Sequence, residues 1–170
     1  MLQQEQKEKT FIELITRHKG IIHKVCNVYA GELHAQQDLY QEIVVQLWKN
    51  FEKFEGRSSF STWMYRVALN TAISNYRLQK RVLSATTITD QVINLPDRPS
   101  EQQEEQLQQL YSAIRQLSDL ERAIVLLYLE DHSYKEMEEI LGIKEGALRV
   151  KMNRLKEKIR QRLNDTVYGT

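Results

Sequence analysis

Between Arg57 and Val82 the chain carries five basic residues, Arg57, Arg66, Arg77, Lys80 and Arg81, and no acidic one. Aromatic rings (Phe60, Trp63, Tyr65, Tyr76), hydroxyls (Ser58, Ser61) and amides (Asn70, Asn75) are interleaved with them. Cations hold phosphates and aromatic faces stack unpaired bases, so this mixture suits a single-stranded nucleic acid. A competing reading puts Trp63, Val67 and Ile73 in a helical core. The nucleic-acid role then falls on Ser58, Phe60, Ser61, Arg66, Asn70, Arg77, Lys80 and Arg81. A second basic run, 144–162, has eight basic and two acidic residues. On a helix it would turn Lys144, Arg149, Lys151, Asn153, Arg154 and Lys158 outward. A major groove admits one helix, where Arg or Lys reads guanine and Asn reads adenine. A third cluster is acidic. Asp38 and Glu42 stand four residues apart, a like-charge spacing that costs a helix about 0.2–0.5 kcal/mol. Gln41, Val45 and Trp48 share that side, and the set reads as a protein-docking face anchored by tryptophan. Helical period alone leaves Trp48 open between this face and the core.

Catalytic chemistry finds no comparable support. His18, His23, His34 and His132 are scattered, with no nucleophile–base pattern and no phosphate-binding glycine loop. His23 and Cys26, at i and i+3, would be half of a zinc site, and two ligands are too few for a structural one. A buried cysteine beside a surface histidine is the simpler expectation. The expectation is therefore a protein that is not an enzyme and carries no metal and no cofactor.

The elements that would position these clusters are helices. Phe11, Leu14, Ile15 and His18 place a first helix over about 7–19, and Gly20 and Gly31 bracket a second stretch, IIHKVCNVYA. Leu39, Ile43, Leu47 and Phe51 recur at four-residue steps and predict a helix over about 35–51. After the break KFEGRSSF, a helix over about 61–81 begins near Ser59 or Ser61 as cap. Ser100 with Gln103, following Pro99, suggests a capping box for a helix to about 117. A helix over 119–129 follows. Ser133 and Glu136 form a second box for a short helix, 134–141, and Gly142 stands where a left-handed C-terminal residue is needed. The last helix covers about 144–163. A short capped helix, a turn at Gly142-Ile143 and a longer basic helix make a helix-turn-helix. Ile124, Leu127, Met137, Ile140, Leu141, Ile143, Leu148, Leu155 and Ile159 would form its core. No strand-like alternation of useful length and no internal repeat is found.

The chain has 170 residues and a net charge of +1. At face value this speaks against nucleic acid, but the neutrality is a sum. Residues 10–82 carry ten basic and six acidic groups, 83–106 one and five, and 107–170 eleven and ten. Both prolines, Pro96 and Pro99, lie in the acidic stretch, which reads as a linker. The expected organisation is all-α: two small helical domains, 1–82 and 107–170, joined by a flexible linker, 83–106. One cysteine fits a reducing compartment. The polar start MLQQEQKEKT has no apolar signal core, and the longest apolar run, 124–129, falls far short of the ~20 residues of a membrane span. A soluble, cytoplasmic protein is expected.

DLYQEIVVQLW and FEKFEGRSSFSTWMYRVALNTAISNYRLQKR together resemble region 2 of a bacterial sigma-70 family factor. LSDLERAIVLLYLEDHSYKEMEEILGIKEGALRVKMNRLKEKIR resembles region 4. Two such regions joined only by a linker are the layout of the extracytoplasmic-function (ECF) group. The resemblance implies a subunit that binds core RNA polymerase and directs it to promoter DNA; anti-sigma control is common in the family. It assigns Asp38, Gln41, Glu42, Val45 and Trp48 to polymerase docking. It assigns Arg57, Ser58, Phe60, Ser61, Trp63, Arg66, Asn70, Arg77, Lys80 and Arg81 to the −10 element. Ser133, Lys144, Arg149, Lys151, Asn153, Arg154 and Lys158 fall to the −35 element.

Extended, the 24-residue linker spans at most ~80 Å. Promoter elements one and a half duplex turns apart need only ~50 Å. A relaxed coil would reach just ~27 Å, so binding must draw the linker out. Departures from the family pattern cluster at the last helix. Lys144 stands where a small hydroxyl cap is expected, Ala147-Leu148 replace a Thr-Val pair, and Leu155 stands for a frequent alanine. Asn75 stands for a frequent aspartate. A helix start capped this weakly is expected to fray. The rivals are a stand-alone helix-turn-helix regulator, which leaves the basic aromatic segment 57–82 unexplained, and an adaptor that binds only protein.

Overall fold

The structure, a computed structural model, describes residues 1–83 and 101–168. Most of the expected linker and the Ser100 cap lie outside the described residues. Seven α-helices are described: α1 (Leu2–Tyr29), α2 (Leu33–Asn50), α3 (Phe60–Leu83), α4 (Glu101–Arg115), α5 (Asp119–Leu129), α6 (Tyr134–Leu141) and α7 (Glu145–Tyr168). A 3₁₀ turn, Phe51–Lys53, follows α2. No strand occurs among the described residues.

Gly20 does not break the first helix, contrary to the expectation of two stretches. A glycine inside a helix costs only ~1 kcal/mol relative to alanine. The buried side chains on either side of it, Phe11 and Ile15 before and Ile22, Val25 and Val28 after, lie along one continuous face. That burial outweighs the glycine. α1, α2 and α3 pack together, with Leu39, Ile43 and Leu47 of α2 and Met64, Ala68 and Leu69 of α3 inside. Cys26 is 2% exposed in this core, and burial pushes its thiol up to about 12. It is an inert packing residue.

α5 and α6 start as their sequences require. Ser118 and Ser133 each accept the backbone N–H three residues on, and Glu121 and Glu136 return the bond. The Ser118 box is as plain in the sequence as the Ser133 box. α6 ends at Gly142, whose φ is 71°. Ile124, Leu127, Met137, Ile140, Leu148 and Leu155 are buried as expected, with Leu141, Ile143 and Ile159 packed at the edge. Met152, Val125 and Leu126 join them.

The two glycines predict opposite outcomes. A Cβ at Gly20 meets nothing within 4 Å, so Gly20→Ala should raise stability by ~0.5–1 kcal/mol. Gly142→Ala forces a left-handed residue to carry a Cβ and should lower it by ~1–2 kcal/mol. Denaturant melts of the two variants test both signs.

α1 and α3 also pack against α4, α5 and α6, and the buried apolar residues form one contiguous cluster. The N-terminal and C-terminal bodies therefore meet across a shared joint.

Candidate nucleic-acid interface

The segment before α3 folds into an aromatic box. Trp63 lies 5.2 Å from Phe54, 5.4 Å from Phe60 and 6.4 Å from Phe51, ring centre to ring centre. At 9% exposure it is a wall of this box and presents little surface of its own. Phe60, half-buried, also meets His18 at 5.3 Å. Ser59 caps α3, its Oγ accepting the Thr62 N–H at 3.2 Å and lying 3.2 Å from Ser61 Oγ. Ser58 and Ser61 are half-buried, while Arg57, Asn70, Lys80 and Arg81 are exposed. Arg57 pairs with Glu55 at 2.7 Å.

Two α3 arginines are engaged by the C-terminal body. Arg66 donates from Nε (3.1 Å) and Nη2 (2.5 Å) to the backbone carbonyl of Glu139 on α6. Arg77 donates from Nε to Asp119 Oδ2. Burial would raise the Asp119 carboxyl, but the bond from Arg77, the Leu120 amide and nearby Lys80 hold it below its ordinary value. Tyr65 meets His132 edge-on at 4.8 Å beside these bonds.

On α2, Asp38, Gln41 and Glu42 are exposed and Val45 is 43% exposed. Trp48 is partly in the core and partly at the surface. Its ring lies edge-on to Phe11 at 5.0 Å and under Lys7 Nζ at 4.7 Å, yet it is only half-buried. An exposed acidic row with a part-exposed tryptophan at one end remains.

On α7, Leu148, Met152 and Leu155 point inward, while Arg149, Lys151, Asn153 and Arg154 are exposed. The Arg149 guanidinium sits 4.6 Å over the Tyr134 ring and 3.7 Å from Glu145. Lys158 stands apart from this set. It is half-buried and tied to Glu121 on α5 at 3.1 Å. Ser133 Oγ is occupied as the α6 cap. The weak α7 start is remedied from α6. Glu138 Oε2 accepts the Glu145 N–H at 3.1 Å and its Oε1 takes Lys144 Nζ at 2.7 Å. Both donors hold the Glu138 carboxyl below its ordinary value. Glu138 was not singled out from the sequence, because a cap from a neighbouring helix has no fixed spacing.

Two basic helices on separate bodies and one acidic helix face are thus on one chain. Residues 14–82 match the family model for sigma-70 region 2, and residues 107–159 match the model for sigma-70 region 4. The chain belongs to the sigma-70 family of RNA polymerase sigma factors. Its curated relatives include the ECF sigma factor SigW of Bacillus subtilis (strain 168), 26% identical over 93% of this chain and 91% of that one. The ECF sigma-E factor of Haemophilus influenzae is 27% identical over 94% and 90%. Among solved structures, the sigma factor RpoE, determined with the anti-sigma factor NepR from Bartonella quintana, superposes with a TM-score of 0.76. At 18% identity it covers 92% of this chain and 98% of its own, and shows the same fold. CnrH, determined with the cytosolic domain of CnrY, gives 0.66 at 18% identity over 92% and 89%. Within this sigma factor, the region 2 match ends at the close of α3 and the region 4 match begins in α4. No helix among the described residues is long and apolar enough to cross a membrane.

Proposed function

We propose that this sigma factor docks on core RNA polymerase through the α2 face, Asp38, Gln41, Glu42, Val45 and Trp48. The segment from Arg57 to Arg81 holds the −10 strand, with Arg57, Ser58, Phe60, Ser61, Asn70, Lys80 and Arg81 as direct contacts and Trp63 as their support. Arg66 and Arg77 join that set once the two bodies part. Arg149, Lys151, Asn153 and Arg154 on α7 face the −35 duplex, with Lys144 and Ser133 at the entry of the helix-turn-helix and Lys158 at its rim. Residues 1–82 and 107–170 act as the two recognition domains, and 83–106 spans the polymerase between them. The protein works in the cytoplasm, performs no catalysis of its own, and is open to control by an anti-sigma factor.

The observation that carries this reading is the division of charge. Each matched region bears its own cationic face, and the acidic docking row lies on a different helix. The acidic linker lowers the charge of the whole, so attraction of the free chain to DNA is weak. Promoter binding then depends on polymerase holding both faces in place, which raises their effective concentration. In vitro transcription with the cognate core enzyme tests the function. Promoter-specific initiation is the expected result, and none would refute it. A stand-alone regulator would instead bind duplex tightly without polymerase.

Within that assay, Arg149→Ala and Arg154→Ala should each weaken −35 recognition by ~1–3 kcal/mol. Losses equal on promoter and scrambled duplex would show that they touch only phosphates.

A further inference from the structure

The joint between the bodies holds a half-open polar pocket of about 390 Å³, lined by Tyr76, Arg77 and Lys80 of α3 and by Arg115, Asp119 and Arg122 of the α4–α5 corner. We propose that this cavity is a binding site for a small phosphate-bearing anion. Four cations face one carboxylate there, and that carboxylate, Asp119, is already taken by Arg77.

Arg115 and Arg122 are the unusual pair. Arg122 is 5% exposed. Its Nε donates to the Leu117 carbonyl at 3.0 Å, Nη1 to the Val28 carbonyl at 3.2 Å, and Nη2 to the Arg115 carbonyl and, at 3.3 Å, to Tyr76 Oη. Arg115 donates from Nη1 to the Asn27 carbonyl at 3.0 Å. Among the described residues neither makes an ion pair. Burial pulls both below the ordinary arginine value, and the charge of Arg122 presses Arg115 down further. Buried charges are ordinarily paired. Here neither guanidinium has a carboxylate of its own. Arg122 is eased by the Tyr76 and Tyr29 rings and the nearby charge of Asp119, with its nitrogens engaged on the protein. Arg115 donates from Nη1 alone and keeps the rest of its planar fork for phosphate oxygens.

The start of α5 does not supply the anion site, because Ser118 and Glu121 already close it. The side chains would hold the ligand. The volume suits a ligand between pyrophosphate and a nucleotide. A nucleic-acid strand fits poorly, because Arg122 is nearly enclosed and Arg115 is anchored to α1. Walls from both bodies mean that the anion binds the closed arrangement and stabilises it by linkage, holding Arg77 away from promoter DNA.

Calorimetric titration of the full chain at fixed ionic strength tests this, with inorganic phosphate, pyrophosphate, GDP and a single-stranded oligonucleotide as probes. A small phosphate is expected to bind with one-to-one stoichiometry at sub-millimolar affinity. Arg115→Gln and Lys80→Gln should each weaken it about tenfold, and Lys19→Gln, which removes the same charge from an exposed site outside the cavity, should leave it unchanged. Tighter GDP than pyrophosphate identifies a nucleotide; the reverse identifies free phosphates, and either supports the site. If Arg115→Gln fails to fold, Lys80→Gln, on an exposed helix end, carries the comparison. The proposal is overturned by no binding of any small phosphate, by an equal loss in Lys19→Gln, or by binding of the oligonucleotide alone. Polymerase takes no part, so such a failure leaves the promoter-recognition reading standing.

Discussion

Reversing Asp38 and Glu42 together to lysine is expected to lower affinity for core RNA polymerase by ~100-fold or more, since like charges juxtaposed across an interface cost several kcal/mol. Both side chains are exposed, and among the described residues Glu42 accepts a hydrogen bond from Gln46 Nε2 at 2.9 Å. Substitutions at such surface positions usually change stability by no more than ~0.5 kcal/mol. The helical circular-dichroism signal and the melting temperature should therefore stay near those of the parent. Capture of core enzyme is the measurement. Unchanged capture by the folded double variant would remove the α2 face from the docking surface and leave the two nucleic-acid faces unaffected.

The second large effect is expected at Arg122. Arg122→Met keeps much of the volume but leaves the carbonyls of Leu117, Val28 and Arg115 and the Tyr76 hydroxyl without their donor. Each buried acceptor left unmade costs about 1–3 kcal/mol. Against this stands relief of burying a guanidinium without a carboxylate, which in other proteins makes apolar replacements neutral or better. Two of the acceptors, the Leu117 and Val28 carbonyls, are buried and the other two half-buried, against one relieved charge, so a net loss of about 2–4 kcal/mol is expected. Val28 and Tyr76 belong to the N-terminal body and Arg115 and Leu117 to the C-terminal one, so the bodies should also begin to melt separately. Arg122→Lys should recover only part of the loss, because an ammonium cannot reproduce the planar fork. Denaturant unfolding followed by fluorescence and circular dichroism measures both. A variant as stable as the parent would show that relief of the buried charge dominates.

Arg122 also marks where sequence reading stops. In LERAIVLLYL it sits before an apolar run and looks like one more solvated cation. Its burial depends on Val28 and Tyr76, 94 and 46 residues away, and no local period encodes that meeting. Asp119 and Glu138 are as silent in the sequence for the same reason, their partners Arg77 and Glu145 lying on other helices. What is encoded locally was legible. The four-residue steps of α2, the serine–glutamate cap of α6 and the left-handed Gly142 act within a few residues, and the structure places them as expected. Gly20 misled because propensity weighs one residue while packing sums over a whole face. Trp63 is ambiguous in the sequence because an aromatic between cations fits a base-stacking surface or a core equally well, and its packing against Phe51, Phe54 and Phe60 comes from tertiary contacts. Lys158 belongs to the basic run by type, but its position on α7 turns it toward Glu121.

The joint between the bodies has two kinds of bond, and they differ in how mutation can act on them. Arg66, Arg115 and Arg122 reach the backbone carbonyls of Glu139, Asn27 and Val28. A carbonyl has no side chain to exchange, so loss of one of these arginines admits no charge-swapped second-site suppressor. Arg77 with Asp119 and Lys24 with Glu130 join side chain to side chain, and either pair can be inverted. Among the described residues, charge-swap suppression of joint defects is therefore expected at these two ion pairs and not at the carbonyl bonds of the other three arginines.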